Sequence, residues 1–175
     1  MMPAPLPSGS PQVPGTRPDT GPAAALAHEL GALEAHLRTR QADWQRPQPG
    51  RAWSPAQEAE HVILIGEAGR RAIRLLLSER ELRPLPHVPG TLREGRRQAP
   101  EFAQPGEAGL AWGELETAWA AHRAALLELA AGVHDRPGRT LWHPFLGEIG
   151  AVAWLNSLTA HVRHHRELLE AGARA

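Results

Sequence analysis

Cysteine, tyrosine and lysine are absent from this 175-residue chain, and phenylalanine occurs only twice. The lack of cysteine excludes disulfides, thiolate metal ligands and cysteine nucleophiles together. Without tyrosine, the reactive side chains left are histidine, carboxylates, serine, threonine and arginine, so any metal must sit on nitrogen and oxygen. With no lysine, arginine carries all the basic charge, and 19 bases balance 19 acids. No run of like charge is long enough to follow a phosphate backbone, which argues against a nucleic-acid partner. Nor is any apolar run long enough to span a bilayer, and the start, MMPAPLPSGS, has neither a charged nor an apolar leader region. The expectation is a cytoplasmic protein with no membrane partner. Its 42% hydrophobic content suits one domain with a real core.

What the chain does have is proline at its start and helical periodicity afterwards. Residues 1 to 20 are dense in proline, glycine and serine and read as a disordered tail, leaving residues 21 to 175 for the domain. A first helix is expected over about 21 to 44, capped by Thr20, with Leu26, Leu30, Leu33 and Leu37 as its buried stripe. In WSPAQ, Ser54 reads as an N-cap, Pro55 as the first helical residue and Gln57 as the partner in a capping box. This second helix should run to about Arg80 and bury His61, Leu64, Ile65, Ala68, Ala72, Leu75 and Leu76. Five prolines between residues 83 and about 105 mark a long crossover. A third helix over about 107 to 131 aligns Leu115, Trp119, His122, Leu126 and Leu129. The loop VHDRPGRTLWHPF leads into a fourth helix, about Gly147 to Gly172. Four amphipathic helices with one long connection imply an all-α, four-helix bundle.

Three of the ten histidines fall within TAHVRHH, near the C-terminus. On a helix, His161 and His165 lie within about 40° of each other, whereas His164 falls about 60° to the other side of His161. The inward pair suits either packing or metal ligation, because a divalent cation satisfies two buried imidazoles at once. His61 can supply a third nitrogen if its depth in the bundle matches. It lies about 10 Å from the start of its helix, and the depths agree only if the second and fourth helices are antiparallel. A di-iron centre built on Glu58-x-x-His61 fails on the fourth helix, where Leu158 and Val162 occupy the positions that carboxylates would need. The zincin pattern HExxH is absent. His28, His87 and His134 read as solvated, His122 as a packing residue and His164 as a shoulder residue beside the pair.

The segments WSPAQEAEHV and HPFLGEIGAVAWLNSLTAHVRHHRELL resemble the DinB/YfiT-like metalloenzymes. That family has four-helix bundles in up-down-down-up order. The resemblance puts His61 in the ligand position of the second helix and His161 and His165 in those of the fourth. It makes the two helices antiparallel, as depth matching requires. It also sets His122 too far down the third helix to coordinate, and His36 at the right depth but beside the leucine stripe. A homodimer is a further expectation from the family. Many relatives carry glutamine three residues after the second histidine of the fourth helix, where this chain has Leu168.

A three-histidine ion keeps its full charge and an open position, which implies catalysis rather than a closed structural site. Zinc is the first choice, with nickel, iron and manganese as alternatives. The expected function is activation of water or a low-molecular-weight thiol against a small-molecule substrate, in S-transferase or hydrolase chemistry. Glu58, one turn before His61, is the candidate general-base or supporting carboxylate. Trp44, Trp53 and Trp112 are expected near the site end of the bundle as an apolar wall, and Arg40 as a partner for a substrate carboxylate. The alternative is a non-catalytic, metal-binding stress-response bundle.

Overall fold

The computed structural model describes residues 21 to 174. The proline-rich tail and the Thr20 cap lie outside them, and Gly21 holds the N-cap position of the first helix. Helix α1 spans Pro22–Arg38. Leu26, Leu30, Leu33 and Leu37 are at most 2% exposed, each contributing about 1.5–3 kcal/mol by burial. The helix is shorter than its periodicity predicts, because Gln41–Asp43 turn off as a separate 3₁₀ segment.

Helix α2, Pro55–Leu77, starts on the expected capping box: Ser54 Oγ accepts from Gln57 N, and the Gln57 side chain accepts from Ser54 N. Its buried face is rotated from the expected one. Val62, Gly66, Gly69, Ile73 and Leu76 point inward with His61, while Leu64, Ile65, Ala68, Ala72 and Leu75 are only partly buried. The displacement comes from the two glycines, which carry no hydrophobic signal yet face the closest neighbours. A Cβ on Gly66 would lie 2.2 Å from His122 Cε1, and one on Gly69 would lie 2.6 Å from Leu158 Cδ2.

The crossover is not structureless. Strands β1, Leu92–Arg93, and β2, Arg96–Arg97, form a short hairpin, and Glu101–Ala103 make a 3₁₀ turn against α2. Helix α3, Trp112–Ala131, begins later than the sequence suggests. A second hairpin, β3 Leu141–His143 with β4 Gly147–Ile149, occupies what reads as loop and the first turn of the fourth helix. Helix α4 therefore runs Ala151–Ala173. Its inward stripe is Leu155, Leu158, Val162, His165 and Leu169.

Contacts between helices fix their directions. Arg163 and Arg166 of α4 reach Glu29, and Arg40 beyond α1 reaches the Leu169 carbonyl, so α1 and α4 run parallel. Glu58 meets His165 while Gly69 meets Leu158, so α2 and α4 run antiparallel. Arg38 meets Glu116 while Glu34 meets Trp119, so α1 and α3 also run antiparallel. The result is an up-down-down-up four-helix bundle. Among the described residues no helix is long and apolar enough to cross a membrane.

Candidate metal centre

The antiparallel pairing of α2 and α4 brings His61, about two turns into α2, level with His161 and His165 of α4. One ligating nitrogen from each lies within 4.8 Å of the other two. His61 Nε2 and His161 Nε2 are 3.1 Å apart, and the ring centroids of the three residues are 4.4–5.1 Å apart. Two nitrogens on one tetrahedral zinc at its usual bond length stand about 3.3 Å apart, so this spacing suits a shared ion.

The orientation of two of the rings follows from their other nitrogens. His61 Nδ1 donates to the Ala103 carbonyl at 2.7 Å, which leaves the lone pair on Nε2. His165 Nδ1 lies 2.5 Å from Glu58 Oε2, so its Nε2 is the free ligand atom. Carboxylate and carbonyl partners of this kind hold metal-binding imidazoles in the required tautomer. Burial drives the His61 pKa down to about 4, the Ala103 bond only partly opposing it. Burial, reinforced by its histidine neighbours, holds His161 well below the ordinary histidine range. Both rings are thus neutral at pH 7 and ready to ligate. The donor set of three imidazoles on rigid helices fits a divalent transition metal.

Glu58 is fully buried. Burial alone would raise its pKa, but His165 and Arg51 outweigh that and hold the carboxylate charged. Arg51 reaches Oε1 through Nη2 at 2.5 Å and Nε at 3.2 Å, and His165 takes Oε2. Both oxygens are therefore engaged, and the geometry suits orienting His165 rather than acting as a general base. Arg51 was invisible as a site residue in the sequence because it lies in the RPQPGRA break, outside any periodic stretch. Ala103 contributes only its carbonyl, so no side-chain signal marks it.

Of the three tryptophans expected at this end, Trp53 reaches the site, its ring 4.8 Å from that of His61. Trp44 and Trp112 pack edge-on against each other at 5.0 Å instead. Arg40 is 4% exposed and held by Asp43, Gln48 and the Leu169 carbonyl, so it is not free for a substrate. His164 is exposed, with its ring 5.3 Å from that of His165. His122 bonds to Glu67 opposite Gly66, more than a turn deeper than His61. His36 stays half-buried on α1, outside the cluster. His87 is not simply solvated: it stacks on Trp142 at 4.3 Å and pairs with Glu148. A cavity of about 160 Å³ lined by Leu82, Arg83, Thr140, Trp142 and Glu148 lies where α2 closes and touches none of the three clustered histidines.

A comparison with curated proteins finds no match. Among solved structures, the crystal structure of TT2238, a four-helix bundle protein, is similar at 25% identity and a TM-score of 0.58. The match covers 85% of this chain and 98% of that one. The family model of the DinB superfamily matches residues 23–169, which take in most of every helix and the three histidines. The chain belongs to the DinB superfamily.

Proposed function

We propose that the protein is a metal-dependent enzyme in which His61, His161 and His165 hold one divalent ion, zinc in the first instance. The observation that carries this reading is the convergence of three imidazole nitrogens, two of them aimed by partners on their far side. A bound ion would supply Lewis acidity and lower the pKa of a water or a low-molecular-weight thiol in its open position, to roughly 7 for water. Glu58 and Arg51 cancel each other's charge, so the site keeps the full charge of the ion and favours an anionic nucleophile. Glu58 holds His165 in its ligating tautomer, and Trp53 shields the His61 side from water. The chemistry proposed is S-transfer to, or hydrolysis of, a small electrophile.

Elemental analysis of protein purified without added metal should find one divalent ion per chain, lost when His61, His161 and His165 are all changed to Ala. Protein without stoichiometric ion, or ion retained in the triple variant, would overturn the reading. Thiol-transfer and hydrolysis panels on loaded and stripped protein then separate an enzyme from a metal-binding stress-response bundle. In the second case, stripping lowers the melting temperature and no metal-dependent turnover is found. The tie from His165 through Glu58 to Arg51, which joins α4, α2 and the preceding loop, gives that alternative its footing.

A further inference from the structure

Beside the histidine cluster lies a second polar group that the proposed metal centre does not use. Ser157 is on α4 one turn before His161, so the two share a face of the helix. Its Oγ is 3.1 Å from Nε2 of His143, the last residue of β3. His143 Nδ1 accepts the backbone N–H of Phe145 at 3.2 Å. An amide can only donate, so the neutral ring carries its proton on Nε2 and donates to Ser157 Oγ. This ring has no lone pair left to deprotonate the serine, which excludes a serine nucleophile. The serine hydroxyl hydrogen is instead left to seek an acceptor elsewhere.

Two more donors stand nearby. Trp154, one turn before Ser157, sets its ring 4.8 Å from His143, and its Nε1–H is buried with no acceptor among the described residues. A buried donor left so destabilises the fold unless something fills it. Arg97, at the end of β2, seats its guanidinium 4.5 Å above the Phe145 ring. That ring is 6.4 Å from His143 and is fixed by Gly90, whose missing side chain makes room for it. No carboxylate pairs with Arg97 among the described residues. Glu148 is engaged with His87 and Thr140, and Glu58 with Arg51 and His165. Burial is the main cause of the low pKa of His143, and the charge of Arg97 adds to it, in keeping with the guanidinium seated over the neighbouring Phe145 ring.

The group thus offers one cation and two spare neutral donors. We propose that Arg97, Ser157 and Trp154, with His143 orienting the serine, bind the carboxylate of a small acidic substrate one helical turn from His161. A single positive charge with planar, forked donors matches a carboxylate better than a phosphate dianion. Its relevance to a reaction rests on the metal-centre reading, but its existence does not.

The test is calorimetric titration of succinate, with succinamide and inorganic phosphate as comparisons, into stripped and zinc-loaded protein. The Trp154 indole N–H, identified by its loss in Trp154→Phe, is followed by NMR. Succinate should bind the stripped protein and shift that resonance, and succinamide should not. Arg97→Gln should weaken binding by roughly tenfold or more, and Arg97→Lys should recover part of it. Because Arg97 is exposed on a hairpin, both variants should fold. Equal affinity in Arg97→Gln, binding that appears only with zinc, or phosphate binding tighter than succinate with the same Arg97 dependence would overturn the proposal. Failure of the metal-centre reading shows separately, as absence of bound ion in protein that still binds succinate.

Discussion

The low pKa of His61 predicts how the stripped protein should respond to acid. In the unfolded chain the imidazole titrates near 6.5, and in the folded protein near 4, because burial penalises its charged form. The folded state therefore resists protonation while the unfolded state accepts it. Stability is unaffected above 6.5, falls as pH drops below it and levels off once pH passes the folded value. A shift of this size amounts to about 3 kcal/mol when complete, and to about 2 kcal/mol between pH 7.5 and pH 5. Urea unfolding of chelator-treated protein at the two pH values measures the whole loss. Repeating it on His61→Gln, which cannot titrate, isolates this residue: the variant should lose about 2 kcal/mol less than the wild type. A difference below about 0.5 kcal/mol would mean that His61 is not held neutral by its surroundings, and the account of a pre-set ligand would fail with it.

Three substitutions separate the supporting parts of the fold from the ligands. Glu58→Gln should weaken metal binding by about 10- to 100-fold in a chelator competition, since it removes the charge that orients His165 and leaves Arg51 unpaired. Unchanged affinity with lowered turnover would point instead to contact with the reacting atoms. Gly66→Ala should cost about 1–3 kcal/mol in thermal or chemical unfolding, because the new methyl overlaps the buried His122 ring. Gly31→Ala in α1, where nothing lies within 4 Å, should gain about 0.5–1 kcal/mol, and equal effects at the two sites would refute the packing argument.

Parts of this architecture are written in local signals and parts are not. The Ser54–Pro55–Gln57 cap and the leucine stripe of α1 are legible because each depends on residues within a turn or two. The pairing of His161 with His165 is legible for the same reason, through helical phase. The inward phase of α2 is not, because its closest contacts are made at Gly66 and Gly69, where the absence of a side chain is the packing feature. The hairpin before α4 is missed because three-residue strands are too short to show alternation, and Gly147 at a φ of 76° makes its turn. Arg51 and the Ala103 carbonyl are hidden more deeply, since only the folded chain brings them to Glu58 and His61.

The acceptor of the His61 bond is the backbone carbonyl of Ala103, so no change of side chain at residue 103 removes that acceptor. Residue 103 need only be small enough for its buried niche. The last turn of the crossover is thus tied to the histidines, whereas the exposed stretch from Pro84 to Val88 is not. Such a division separates what can drift from what must stay. Insertions or changes of sequence in the outer part of the crossover can therefore accumulate while the donor geometry of the centre is inherited intact.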